Sequence, residues 1–433
     1  MNNSARVVSP LAWVPSLYFA MGLPFVVLNM VSAVMFKDLG IPDAQIAFWT
    51  SLIMWPWTIK FLWSPFLELF RTKKFFVVVT QLLSGVMFGV GALSLHLPSF
   101  FAVTIAVFAV VAFSGATHDI AADGVYMSEL STRDQAKYIG WQGAFYNLAK
   151  LVATGGLVWY AGWLYERSTA EGAATFDAYV HAWTVVLAIL CGLLVVMGLY
   201  HAKMLPSGGA AAEKHSLREG LQGLREVIVA FFAKKHIWYY IAFIILYRLG
   251  EGFVMKIVPL FLKADTAVGG LGLSNQQIGL YYGTFGAGAF LLGSLLAGYY
   301  IAARGLRRTL FTLCCIFNVP FVVYALLAFF QPASMWFIGG GIVLEYFGYG
   351  FGFVGLTLFM MQQVAPGKHQ MAHYAFASGI MNLSVMLTGA VSGYLSDWLG
   401  YRIFFIVVML ATIPAFIMTR LIPFTYPDEN KNR

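Results

Sequence analysis

The sequence is short of charge. Asp, Glu, Lys and Arg together make up 11% of its 433 residues, against about 25% in an ordinary soluble domain. So few charges cannot cover the surface of a water-soluble protein of this size. That excludes a soluble enzyme, a disordered hub and a nucleic-acid-binding domain. Cysteine is scarcer still. Cys191, Cys314 and Cys315 all lie inside apolar runs, in no spacing that suits zinc, haem or a disulfide framework. Nor is there a G-x-x-x-x-G-K-[ST], H-E-x-x-H or G-x-S-x-G motif, so neither a nucleotide-driven motor nor a familiar hydrolase is indicated.

What remains is apolar: 60% of the residues are hydrophobic and 17% aromatic. A spanning helix needs about 20 mostly apolar residues. Twelve stretches meet that length: 11–36, 43–67, 73–95, 98–128, 135–165, 178–203, 236–262, 275–301, 308–330, 333–364, 368–396 and 400–422. They are too long, and alternate too little, for barrel strands. The first is also too long for a signal peptide and is read as a retained span. The reading is an all-α polytopic membrane protein with twelve transmembrane helices. One polar linker divides it into a six-helix bundle at 1–203, a cytoplasmic linker at 204–235 and a second bundle at 236–433.

Charge placement supplies an orientation. Even-numbered loops and both termini hold 19 of the 27 Lys and Arg residues, whereas odd-numbered loops hold Lys37, Arg167, Lys263 and Arg402. The positive-inside rule then predicts cytoplasmic termini. The net charge of +8 is thus a mark of orientation and implies no nucleic-acid partner; the expected surroundings are a lipid bilayer.

The two halves repeat. The segment from Ser64 through Glu68 to Lys73 and Lys74 lies over Gly298 through Ala302 to Arg307 and Arg308, shifted by 234. Asn147–Leu164 lies over Asn382–Leu399, shifted by 235. Parallel repeats of this kind imply a solute site between the halves.

The loop pattern resembles the G-x-x-x-D-R-x-G-x-R-R signature of the major facilitator superfamily, although Ala302 and Ala303 replace its acid–base pair. The resemblance implies that Glu68, Lys73, Lys74, Arg307 and Arg308 form a cytoplasmic gate. Lys60, Trp63, Ser64 and Pro65 resemble a K-x-x-W-S-P motif. His118, Asp119, Asp123 and Gly124 resemble a Q-D-I-x-x-D-[AG] motif, with His118 in place of Gln. Both motifs belong to the superfamily's peptide, acetyl-CoA and drug transporter branch. That branch includes AmpG-type muropeptide permeases, acyl-CoA transporters and siderophore importers, and the motifs do not separate its substrates.

Eight Asp, Glu, Lys and Arg residues fall well inside the predicted helices, away from their ends: Lys60, Lys150, Arg248, Lys256, Asp119, Asp123, Glu251 and Glu345. Each costs roughly 2.5–3.5 kcal/mol at mid-membrane. Four of each sign therefore have to face one another or a wet cavity. Asp119 and Asp123 are one turn apart and resist ionising together, which suits a proton carrier; a cap on Arg133 is the structural alternative. Arg248 and Glu251 are three apart and can pair, beside Gly250 and Gly252, which weaken the helix. Glu345 has no charged neighbour in sequence. The expected proton-coupling residues are Asp119, Asp123, Glu251 and Glu345. The expected substrate-binding residues are Lys60, Asn147, Lys150, Arg248, Lys256, Trp141 and Tyr247, with Trp55 and Trp57 as further stacking candidates. His118 and His373 are read more readily as packing histidines than as relays.

In the superfamily fold the first, fourth, seventh and tenth helices line the cavity, and Asp119, Asp123, Arg248, Glu251, Lys256 and Glu345 fall on that set. The expectation is a proton-driven importer of an anionic sugar- or peptide-containing solute, foremost an anhydromuropeptide, without a cofactor or catalytic residues and without a metal site. It would work as a monomer in a bacterial cytoplasmic membrane. A siderophore or acyl-CoA transporter is the alternative within the branch. A non-transporting receptor or assembly factor and a polytopic membrane enzyme are the alternatives outside it.

Overall fold

The computed structural model describes residues 8–41, 43–69, 71–209, 217–273 and 275–427. Every regular element among them is helical, as expected where lipid offers no partner to an open backbone group. Helix α1 spans Pro10–Asp38. α2 covers 43–69 in pieces, broken after Ile53 and again by a 3₁₀ turn at Lys60–Leu62. α3 is Lys73–Ser94, α4 is Phe100–Glu129, α5 covers 132–170 and α6 is Thr175–Met204. α7, Leu217–Phe232, is the amphipathic helix of the linker. α8 covers 237–263 and breaks at Arg248. α9 covers 275–304, α10 is Leu306–Phe330 and α11 is Met335–Val364. α12 and α13 run from Gln370 to Leu421, parted by a left-handed kink at Gly400.

The described residues form two compact units. One comprises Met1–Glu129 with Phe145–Leu224, the other Leu130–Ala144 with Arg225–Arg433. Within the first, Trp13, Tyr18, Phe36, Phe88, Phe108 and Trp183 are fully buried. Within the second, helices approach through glycine. Hydrophobic collapse does not drive helices together in lipid, so close backbone contact has to do so. A Cβ on Gly350 would overlap the Phe290 carbonyl of α9, and one on Gly352 would overlap Phe317 of α10. Gly250 and Gly252 serve the same end, leaving room for Thr412 of α13 and Thr388 of α12.

The repeat seen in the loops extends to hydrogen bonds. In the first unit, Lys73 Nζ donates to the Gly208 carbonyl at 2.6 Å, and the Gly208 N–H donates to Glu129 at 2.6 Å. The segment after α6 is thus tied to the ends of α3 and α4. Gly208 has φ +75°, and a Cβ there would lie 2.8 Å from the Lys73 Cβ, so only glycine suits the position. In the second unit, Arg307 lies over the ring of Phe424 at 5.9 Å. Gln363 accepts from the N–H groups of Thr425 and Tyr426 at 2.9 and 3.1 Å and donates to the Tyr426 carbonyl at 2.9 Å. Lys73 corresponds to Arg307 and Glu129 to Gln363, both at the shift of 234.

The glycine contacts are testable. Gly352→Leu should force α10 from α11 and cost about 1–3 kcal/mol, as overpacking does. The thermal midpoint of the protein in detergent reads this out, and an unchanged midpoint would contradict the close approach.

Candidate functional site

Among the described residues each unit holds two buried acids, and each treats them in the same two ways. In the first unit, Lys60 stands at the 3₁₀ turn of α2 and forms an ion pair with Asp119 of α4. Both residues are buried. Asp123, one turn along α4, is also buried and makes no ion pair among the described residues. It accepts a hydrogen bond from the Tyr18 hydroxyl of α1 at 2.9 Å. Tyr146 of α5 lies beside both acids. One turn further along α5 is Lys150, which is exposed and has no side-chain hydrogen bond or ion pair among the described residues.

In the second unit, Arg248 stands at the break of α8. Its Nε and Nη2 donate to the two carboxylate oxygens of Glu251 at 2.5 and 2.6 Å. This is the two-pronged geometry that suits guanidinium and carboxylate. The guanidinium also lies over the Phe353 ring at 5.1 Å, and Tyr349 lies beside the pair. Glu345 of α11 is buried, and its partner is the Tyr324 hydroxyl of α10 at 2.8 Å. Tyr282 of α9 and Tyr346, next to Glu345 on α11, meet edge to face at 5.0 Å.

The expected residues therefore separate. Lys60, Asp119 and Asp123 lie with Tyr18 and Tyr146, and Lys150 stands one turn further along α5. Arg248, Glu251 and Glu345 lie with Tyr324 and Tyr349. Tyr247, expected to stack on solute, is fully buried and donates to the Gly352 carbonyl at 2.8 Å, which leaves it no free ring face. Trp141 donates to the Tyr299 hydroxyl at 3.2 Å. Asn147, beside Tyr146 on α5, is partly exposed. Trp57 is buried edge-on against Phe25. Trp55 lines an apolar groove of about 270 Å³ with Trp49, Ile59 and Phe113. The side chains of Lys256 and Glu68 lie outside the described residues.

Of the gate residues, Lys73 and Arg307 clasp the segments after α6 and α13 of their own units. The Lys74 N–H donates to the Ser207 carbonyl at 3.2 Å, and Arg308 is exposed. The histidines pack. His118 shares a 2.8 Å hydrogen bond with Gln81, which is joined to His201 and through it to Ser16, each at 2.9 Å. His373 meets the Val227 carbonyl at 3.3 Å. The residues that sequence reasoning missed are Tyr18, Tyr324 and Tyr349. Each sits on a different helix from the acid it serves, so no local spacing marked them.

A family model described as Major Facilitator Superfamily matches residues 244–433. An uncharacterized protein of Haemophilus influenzae is 24% identical over 418 residues, covering 92% of this chain and 91% of that protein. The anhydromuropeptide permease of Escherichia coli is 23% identical over 411 residues, covering 92% of this chain and 77% of the permease. The crystal structure of the major facilitator transporter FucP in its outward conformation matches with a TM-score of 0.70. That match covers 95% of this chain and 98% of FucP at 13% identity, a likeness of fold. Residues 244–433 thus match the major facilitator model, and the chain along most of its length is similar in sequence to an anhydromuropeptide permease and in fold to FucP.

Proposed function

We propose that the protein is a proton-coupled importer of anhydromuropeptides or closely similar anionic sugar–peptide solutes. It works by rocker-switch alternating access in a bacterial cytoplasmic membrane, with both termini cytoplasmic. A single chain suffices, and the proton gradient takes the place of any cofactor. The observation that supports this most is the split among the buried acids. Asp119 and Glu251 are each paired with a base, whereas Asp123 and Glu345 each have a tyrosine hydroxyl and no base among the described residues. A carboxylate gripped by guanidinium or ammonium resists protonation. One held by a tyrosine can accept the same hydrogen bond as an acid or as an anion, so it can load and release a proton without losing its partner. Lys150 is the exposed base suited to a solute carboxylate. The relatives that cover 92% of this chain include a permease for anhydromuropeptides, which favours that solute over a siderophore or an acyl-CoA.

Three outcomes test this reading. In proteoliposomes, Glu345→Gln and Asp123→Asn should retain counterflow of anhydromuropeptide but lose accumulation driven by an imposed proton gradient. Full accumulation in both variants would remove these acids from the coupling step. Lys150→Met should weaken apparent solute affinity about ten- to a hundredfold, the equivalent of the roughly 1.5–3 kcal/mol of a hydrogen bond to a charged group. An unchanged KM would place the solute elsewhere. For the ion pairs, Lys60→Met or Asp119→Asn alone should cost about 3–5 kcal/mol, because each leaves a buried charge without its partner. The Lys60→Met/Asp119→Leu double variant should recover most of the lost thermal stability in detergent. A double variant as unstable as the sum of the singles would contradict the pairing.

A further inference from the structure

The linker helix α7 has two apolar faces, and the protein covers one of them. Val227 and Phe231 are fully buried. The Phe231 ring lies 5.6 Å from His373 and 5.1 Å from Phe376 of α12. The opposite face carries Arg225, Val229 and Phe232, four and then three residues apart and so on one side of the helix. All three are exposed, Val229 to 59% and Phe232 to 41%. A helix lying in water gains nothing from these two apolar side chains.

The corner into the next helix shows where this face lies. α7 ends at Phe232, and His236 takes a left-handed conformation with φ 65°. α8, the span expected at 236–262, then starts at Ile237. Lys234 fixes the corner by donating to the carbonyls of Val364, Ala365 and Pro366 at 2.6, 3.2 and 2.6 Å. Burial lowers its pKa to about 8, so it still carries the proton for these bonds at neutral pH. Across the corner, the Phe232 ring lies 5.5 Å from Trp238. Trp238 is 67% exposed in the first turn of α8, where tryptophan commonly marks the membrane–water boundary. Val229, Phe232 and Trp238 thus make one apolar strip continuous with the lipid-facing surface of α8. Arg225 and Lys235 are exposed beside it, and Glu226 is the single acid between 225 and 238.

We propose that residues 225–238 form an interfacial anchor. Val229 and Phe232 sink into the acyl boundary of the leaflet on the linker side, and Arg225 and Lys235 meet the phosphates of anionic lipids. An apolar face rimmed by Arg and Lys, with aromatic residues at its edge, is the pattern of helices that lie in the membrane interface. The anchor ties the linker to the bilayer at the point where the second bundle begins. It rests on no assumption about solute or coupling.

The test is a nitroxide label on the full chain with its three native cysteines replaced, at Val229→Cys, Phe232→Cys and, as control, Glu226→Cys. The protein is reconstituted in phosphatidylethanolamine vesicles containing phosphatidylglycerol. Labels at 229 and 232 should collide more with oxygen than with a water-soluble nickel chelate, and the label at 226 should show the reverse. Preference for the chelate at 229 and 232 would overturn the anchor, as would shielding from both, which would mean a second copy or another protein covers the face. Arg225→Gln/Lys235→Gln should move the 229 label toward the chelate. No shift would overturn the lipid-phosphate contact.

Discussion

Charge inside hydrocarbon is the constraint on which the rest of this structure depends. An uncompensated ion at mid-membrane is costly enough that every buried one needs a partner or water. The protein meets this in the same way twice. Among the described residues, each unit has one buried acid joined to a base, Asp119 to Lys60 and Glu251 to Arg248, and one buried acid held by a tyrosine, Asp123 by Tyr18 and Glu345 by Tyr324. Both paired bases stand where their helix departs from α geometry, Lys60 at a 3₁₀ turn and Arg248 at a break. The irregular backbone lets a long side chain leave its helix surface and reach the acid. Buried pairs of this kind add little net stability, so their persistence in both halves points to fixing geometry around the neighbouring acid.

The same doubling governs the linker-side ends of the helices. Lys73 and Glu129 grip Gly208 in one unit, and Arg307 and Gln363 grip the segment 424–426 in the other. The chemistry differs, with a carboxylate in one and an amide in the other, yet the positions correspond. Loops that match only weakly as letters therefore match well as contacts. A backbone N–H can be satisfied by either side chain, so the letters were free to drift while the hydrogen bonds stayed.

The membrane class and the helical passes were legible in the sequence, and so were the buried charges of Lys60, Asp119, Asp123, Arg248, Glu251 and Glu345, because the cost of burying charge falls on each residue wherever its partner lies. The Arg248–Glu251 pair was legible too, since its members are three apart on one helix. What was not legible came from other helices. Asp123 and Tyr18 are 105 residues apart, and Lys60 and Asp119 are 59 apart. No periodicity connects such positions. Tyr247 misled for a related reason. It precedes the charged run of α8 and invites a solute-facing role, but its ring packs inward and its hydroxyl satisfies the Gly352 carbonyl. Gly250 and Gly252 were read as weak points in the helix. They are places where α13 and α12 come close, and the break falls at Arg248 instead.

The division of labour among the acids also bears on why both halves keep the two types. A proton carrier has to be stable in two charge states, and a helix crossing lipid has to be stable in one. An acid locked to a base satisfies the second demand and defeats the first. An acid held only by a tyrosine meets the first, provided that nothing nearby forces its charge. Asp119 lies one turn from Asp123, and Glu251 acts on Glu345 across the second unit. Pairing Asp119 with Lys60 and Glu251 with Arg248 neutralises the nearest negative charge to each tyrosine-held acid. Under the proposed coupling, the ion pairs leave Asp123 and Glu345 free to respond to the proton gradient and to the solute instead of to a fixed anion beside them.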